Sequence, residues 1–116
     1  MYNLNELVFE AMLENWKQAN NGNPVAKMAI DGISYEYNRG QYNDCLRHIN
    51  DENYQIANIY NRVSQRGGLI TQQELQELQR HFQLRSVYEA KSIKHFLSGS
   101  NDSQEILSSI TRIIPK

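Results

Sequence analysis

The chain is poor in residues that staple or break a backbone. It has one cysteine, Cys45, two prolines and one tryptophan in 116 residues. A lone cysteine excludes an intramolecular disulfide and fits a reducing compartment. No apolar run approaches the ~20 residues of a membrane span. The N-terminal Met1-Tyr2-Asn3-Leu4-Asn5-Glu6 lacks the basic start of a secretory signal. Neither sign of charge dominates: 12 basic residues face 13 acidic ones, for a net charge of −1. The whole chain is therefore not an electrostatic binder of nucleic acid. The expectation from these absences is a soluble cytoplasmic protein.

What is present is a chain of one-domain length, residues 1–116, able to bury a core without covalent help. Asn and Gln are abundant, and apolar residues recur at regular intervals, which argues against disorder. The charge is uneven. Residues 1–61 hold eight acids against four bases, and residues 62–116 hold eight bases against five acids. Two faces of opposite sign follow.

Helical spacing governs most of the chain. Asn3 and Glu6 suit a capping box, and Leu4, Leu7, Val8, Ala11, Met12 and Trp16 then form a stripe, predicting a helix from about Leu4 to Ala19 with that stripe in the core. Gly22 suits a left-handed helix end and Pro24 the first turn of the next helix. Asp31-Gly32 is a hairpin signal, so a β-hairpin at 25–37 is the minority reading. Met28, Ala29, Ile33 and Tyr37 favour helix instead. Gly40 is expected to break the chain and Asn50-Asp51-Glu52-Asn53 to kink it, with Tyr42, Cys45, Leu46, Ile49, Ile56, Ile59, Tyr60 and Val63 as a stripe between and beyond.

The segment Gly67-Gly68-Leu69-Ile70-Thr71-Gln72-Gln73-Glu74-Leu75 stops one helix and starts another. Thr71 and Glu74 form a capping box, with Ile70 and Leu75 placed for a hydrophobic staple. A long amphipathic helix near 71–98 follows, with Leu75, Leu78, Phe82, Ala90, Ile93, Phe96 and Leu97 on one side at 100° per residue. Gly99 is expected to end it. Asn101 or Asp102 then caps a short last helix buried through Ile106, Leu107, Ile110, Ile113 and Ile114 and stopped by Pro115. The fold class is all-α, a compact bundle of about five helices.

Three resemblances bear on function. Gly68, Ile70 and Glu74 resemble the back half of an EF-hand loop. The positions that should supply oxygen ligands hold Val63, Gln65 and Gly67, and one glutamate cannot provide the six to eight oxygens calcium takes. Ile70 to Leu75 resembles the opening of a helix-turn-helix unit, whose second helix would start at Ser86 after a turn at 81–85. That turn has no Gly, and Gln76 or Glu77 holds the slot for a small residue. Tyr37 to Leu46 is similar to the turn of a tetratricopeptide repeat, which implies a helical hairpin at Gly40 and a buried Cys45.

On the 71–98 helix, Arg80, His81, Arg85, Tyr88, Lys91, Lys94 and His95 lie opposite the apolar stripe, over about 22 Å. Such a face could meet an acidic protein or phosphates. Glu6, Glu10 and Glu14 form an acidic stripe on the first helix, where like charges four apart are mildly destabilising. Catalysis has little to stand on. Cys45 and His48 sit three apart with nothing to lower the thiol pKa. His81 and His95 stand about 21 Å apart on one helix, too far to share a metal. The expectation is a non-enzymatic protein-interaction module without cofactor or metal: an adaptor, inhibitor or assembly subunit of the size of a phage- or plasmid-encoded accessory protein. Its partner-binding candidates are Arg80, Arg85, Tyr88, Lys91, Lys94, His95, Glu6, Glu10 and Glu14. Opposite signs also admit a homo-dimer. A helix-turn-helix regulator using residues 71–97 is the alternative, with nucleic acid as its partner.

Overall fold

The computed structural model describes residues 3–114. Three helices account for them: α1 (Leu4–Ala19), α2 (Pro24–Gln65) and α3 (Gln72–Ile113). All-α is the architecture, in three helices where the sequence suggested about five. The reason is that the interior glycines do not act as stops. Gly32 and Gly40 lie inside α2 and Gly99 inside α3, none with positive φ. A helical Gly costs only about 1 kcal/mol relative to Ala, which flanking turns readily offset. No strand occurs among the described residues, so the hairpin at 25–37 is absent. The 50–53 segment is uninterrupted helix. Asp102 caps nothing; it sits in the body of α3. Pro115 lies outside the described residues.

The true breaks are built from specific caps. Asn3 Oδ1 accepts from the Asn5 N–H at 2.8 Å to open α1. Asn23 Oδ1 accepts from the Ala26 N–H at 3.2 Å to open α2. Gly22, expected to be left-handed, does not have positive φ. The α2–α3 connection does what its residues predict. Gly68 N–H donates to Val63 O at 2.9 Å and Gly67 N–H to Ser64 O at 3.1 Å, the paired bonds of a Schellman end. Gly67 and Gly68 have φ of 75° and 88°, where a Cβ would be strained. Thr71 N–H donates to Glu74 Oε1 and Glu74 N–H to Thr71 Oγ1, both at 3.1 Å, completing the reciprocal capping box. The Glu74 carboxyl is held below its ordinary pKa, first by the Thr71 backbone N–H and then by Arg66. Ile70 and Leu75 are both exposed.

Contacts gather in two units. One takes residues 42–93; the other takes the described residues up to 41 and those from 94 onward. The first has an ordinary apolar core. Ile56, Ile59 and Leu78 are buried, with Val63 and Phe82 packed against them. Glu52 and His81 meet at 2.5 Å, and His48 stacks on Tyr88 with ring centroids 4.3 Å apart.

The second unit is built differently. Its buried residues are mainly polar: Lys27, Asp31, Ser34 and Asn38 from α2, with His95, Asp102 and Ser109 from α3. Leu13 is its one fully buried large apolar side chain among the described residues. The α1 stripe of Leu4, Leu7, Val8, Met12 and Trp16, expected in the core, faces outward. The stripe assigned to the last helix is likewise outward at Leu107, Ile110, Ile113 and Ile114.

Candidate functional site

The polar interior of the second unit is placed by helical spacing. Lys27, Asp31, Ser34 and Asn38 follow one another at 4, 3 and 4 residues along α2, which keeps them on one side. On α3, His95, Asp102 and Ser109 recur every seventh residue. Lys17 of α1 closes the set.

Asp102 is the hub. Its Oδ1 accepts from Lys17 Nζ at 2.5 Å; its Oδ2 accepts from Ser34 Oγ at 2.7 Å and Asn38 Nδ2 at 3.1 Å. His95 Nδ1 donates to Asn38 Oδ1 at 2.8 Å, and its Nε2 stands 3.9 Å from Glu10. Lys27 Nζ donates to Asp31 at 2.9 Å and Glu105 at 2.7 Å. Lys94 Nζ donates to Glu10 at 2.8 Å, and Tyr37 leans a tilted ring on Phe9 at 4.8 Å. Charges withdrawn from water are here met by opposite charges or by donors, as burial requires.

Electrostatics follow from these pairs. Burial pulls the Lys27 ammonium downward, but its bonds to Glu105 and Asp31 outweigh that and leave its pKa raised. The Glu105 carboxyl is lowered by its bond to Lys27 and by that lysine's charge. Burial raises the Tyr37 phenol, and the charge of Glu10 raises it further. A carboxylate depressed on folding stabilises above its unfolded pKa and loses that contribution as pH falls through its folded value. Stability should therefore hold steady from neutral pH to about 4.5, the ordinary pKa of a glutamate carboxyl, and fall below it as Glu74 and Glu105 are protonated. Urea midpoints measured across that range check this. Glu105→Gln should flatten the acid limb, and an unchanged limb would show that the pair carries no linkage.

The partner-binding candidates are scattered by the structure. Arg80 and Glu14 are exposed and Glu6 partly so. Arg85 donates to Asn53 at 2.8 Å and covers the Phe82 ring at 5.0 Å. Tyr88 is taken up by His48. Lys91 and His95, placed by the sequence on a solvated face, are 5% and 1% exposed. Lys94 and Glu10, assigned to two surfaces of opposite sign, bind each other. α3 runs unbroken through 81–85, so the turn that a helix-turn-helix needs is absent. Sequence reading missed Lys17, Lys27, Asp31, Ser34, Asn38, Asp102 and Glu105. The available signal was the 4-3-4 spacing of polar residues on α2.

Two clefts border this network. One of about 140 Å³ lies beside Glu10, Lys17 and Lys94, with space for a few waters. The other, of about 400 Å³, is rimmed by Lys17, Lys27, Asp31 and Glu105, which already pair with one another or with Asp102. Among the described residues no cluster of three His, Cys, Asp or Glu side chains can hold a metal ion, and no helix is long and apolar enough to cross a membrane. Cys45 is buried and belongs to no disulfide.

Outside, α1 carries a continuous apolar row. Leu4, Val8, Met12 and Trp16 stand four residues apart and are 73%, 56%, 39% and 42% exposed. A row of that spacing runs along one side of a helix. Glu14, also exposed, flanks it. No known protein family, curated protein or solved structure matches this chain.

Proposed function

We propose that this chain is a cytoplasmic, non-enzymatic protein-interaction module, an adaptor, inhibitor or assembly subunit, that presents α1 to a partner. The carrying observation is the outward row Leu4, Val8, Met12 and Trp16 beside an interior made of charges and amides. An apolar row left exposed along one side of a helix, rather than scattered singly, marks a surface that binds something. Anchors at successive turns on one helix face suit a partner with an apolar groove, the helix-in-groove mode. A basic group at the groove's edge would meet Glu14. Trp16 is the natural anchor, since tryptophan dominates interface energetics. The charged surfaces first expected to bind contribute less, because Glu10 and Lys94 neutralise each other within the chain.

A photo-crosslinking residue at Met12, compared with one at Arg80, tests this in the native cell. The Met12 probe should give one dominant adduct that Val8→Asp abolishes with helix content unchanged. No adduct at Met12, or one indifferent to Val8→Asp, would remove α1 as the binding face.

A further inference from the structure

The turn between α1 and α2 holds the one Asn-Gly step of the sequence, Asn21-Gly22. Asn20 to Asn23 form a β-turn closed by the Asn23 N–H on Asn20 O at 3.0 Å, with Asn21 and Gly22 at its centre. Of the asparagines that meet here, two are occupied. Asn20 Nδ2 donates to Trp16 O at 2.9 Å, and Asn23 Oδ1 accepts from the Ala26 N–H at 3.2 Å. Asn23 also precedes Pro24, which has no N–H to react. Asn21 is different. Its side chain is exposed and bonded to nothing among the described residues, and the Gly22 N–H likewise donates to nothing there.

We propose that Asn21 is a site of spontaneous covalent conversion, where the chain's own backbone turns a side-chain amide into a carboxylate, and that the product weakens the joint between α1 and α2. The Gly22 nitrogen loses its proton to hydroxide and attacks Asn21 Cγ. A C–N bond forms, the bond from Cγ to Nδ2 breaks, and ammonia leaves with a proton returned by water. The cyclic imide then takes up a water molecule. Opening at Cγ gives aspartate. Opening at the former backbone carbonyl gives isoaspartate, whose main chain runs through Cγ. In sum, water is consumed and ammonium released, with no oxidant or reductant. Glycine matters because a Cβ on the following residue would crowd the attacking nitrogen. A helix bars the same chemistry. Asp31-Gly32 could form the same imide by loss of water, but it lies inside α2, where the Gly32 N–H is tied into the helix and Asp31 is 0% exposed.

The product acts on the joint through charge and through length. A carboxylate at residue 21 lies just past the C-terminus of α1, the negative end of its dipole. It also joins Glu14, Asp31, Asp102 and Glu105 around the larger cleft, where carboxylates already outnumber Lys17 and Lys27. Isoaspartate in addition inserts a methylene into the main chain inside the turn, and so spoils the fit of the Asn23 N–H to Asn20 O.

Peptide mapping by mass spectrometry, on the full chain kept warm in mildly alkaline buffer, tests the site. The mass gained when NH₂ is exchanged for OH should appear first at Asn21, with isoaspartate as the larger product. Asn38 and Asn58, inside α2, should keep their amides. Gly22→Ala meets no atom within 4 Å and needs no positive φ, so it should fold. It should slow the conversion by about tenfold or more. Asn21→Gln, whose longer side chain closes a larger ring, should stay unconverted over the same time. The converted fraction, separated by its added charge, should unfold at lower urea than unconverted protein when followed by Trp16 fluorescence. Freshly made Asn21→Asp, which carries the charge without the methylene, should fall between them. A rate at Asn21 no faster than at Asn38, or one unchanged by Gly22→Ala, overturns the site. A converted fraction that unfolds with the wild type overturns the effect on the joint. None of these results depends on what α1 binds, so the crosslinking test at Met12 stands or fails separately.

Discussion

Asp102→Ala should lower the unfolding free energy by about 3 kcal/mol. Asp102 is 1% exposed and accepts from Lys17, Ser34 and Asn38 at once. Its removal leaves the Ser34 hydroxyl buried without its acceptor, at about 1–3 kcal/mol, and takes one bond from the Asn38 amide, which keeps its bond to Ser34 O at 3.0 Å. Lys17 loses less, because its side chain is 23% exposed and can turn to water. Trp16 is the single tryptophan and lies on α1, so its fluorescence follows this unit in urea. Asp102→Asn keeps one acceptor oxygen and should fall between wild type and alanine. A loss under about 1 kcal/mol for Asp102→Ala would mean that the network adds little to stability.

The second large effect separates two isoleucines that the sequence pattern treats alike. Ile59→Ala should cost roughly 2–5 kcal/mol, because Ile59 is 3% exposed and a cavity would remain among Ile56 and Leu78. Ile93→Ala should change stability by no more than about 0.5 kcal/mol, since Ile93 is 60% exposed and alanine favours helix. Denaturation followed by far-UV circular dichroism checks both. Comparable losses at the two sites would contradict the assigned packing of α3.

That contrast explains which parts of the fold were legible. The Schellman end, the Thr71–Glu74 box and the unit built on Ile56, Ile59 and Leu78 all rest on local chemistry or on an apolar stripe, and a linear reading finds both. The inward side of α3 was misjudged beyond residue 90 for a geometric reason. Within the first unit, burial or contact falls on Leu78, His81, Arg85, Tyr88 and Ser92, alternating 3 and 4 residues. Within the second, His95, Gly99, Asp102, Ile106 and Ser109 keep that alternation. A 3.5-residue repeat drifts about 20° per heptad from a straight helix. The apolar stripe at 100° per residue therefore leaves the packed side as the helix proceeds, and Phe96 and Leu97 come out where His95 goes in. Hydropathy alone could not find a packed side whose occupants are Ser, His, Gly and Asp. Glu10 and Lys94 were recognised as charged faces, but not as each other's partners, because 84 residues separate them.

The Gly67–Gly68 turn also bears on how the chain is assembled. Side chains bonded beside it are few residues apart: Arg66 to Glu74 spans 8, and Arg62 to Glu77 spans 15. Moving away, the spans lengthen to 29 at His81–Glu52, 57 at His95–Asn38 and 78 at Lys27–Glu105. The entropy lost in closing a loop grows with the logarithm of its length. Once the turn has formed, each further bond closes only the short stretch left by the one before it. The route of least entropy loss is a zipper that starts at two glycines and reaches the Lys27–Glu105 pair late. An insertion at the turn would leave the helices themselves intact and would lengthen only the first closure, the one on which all the later ones wait.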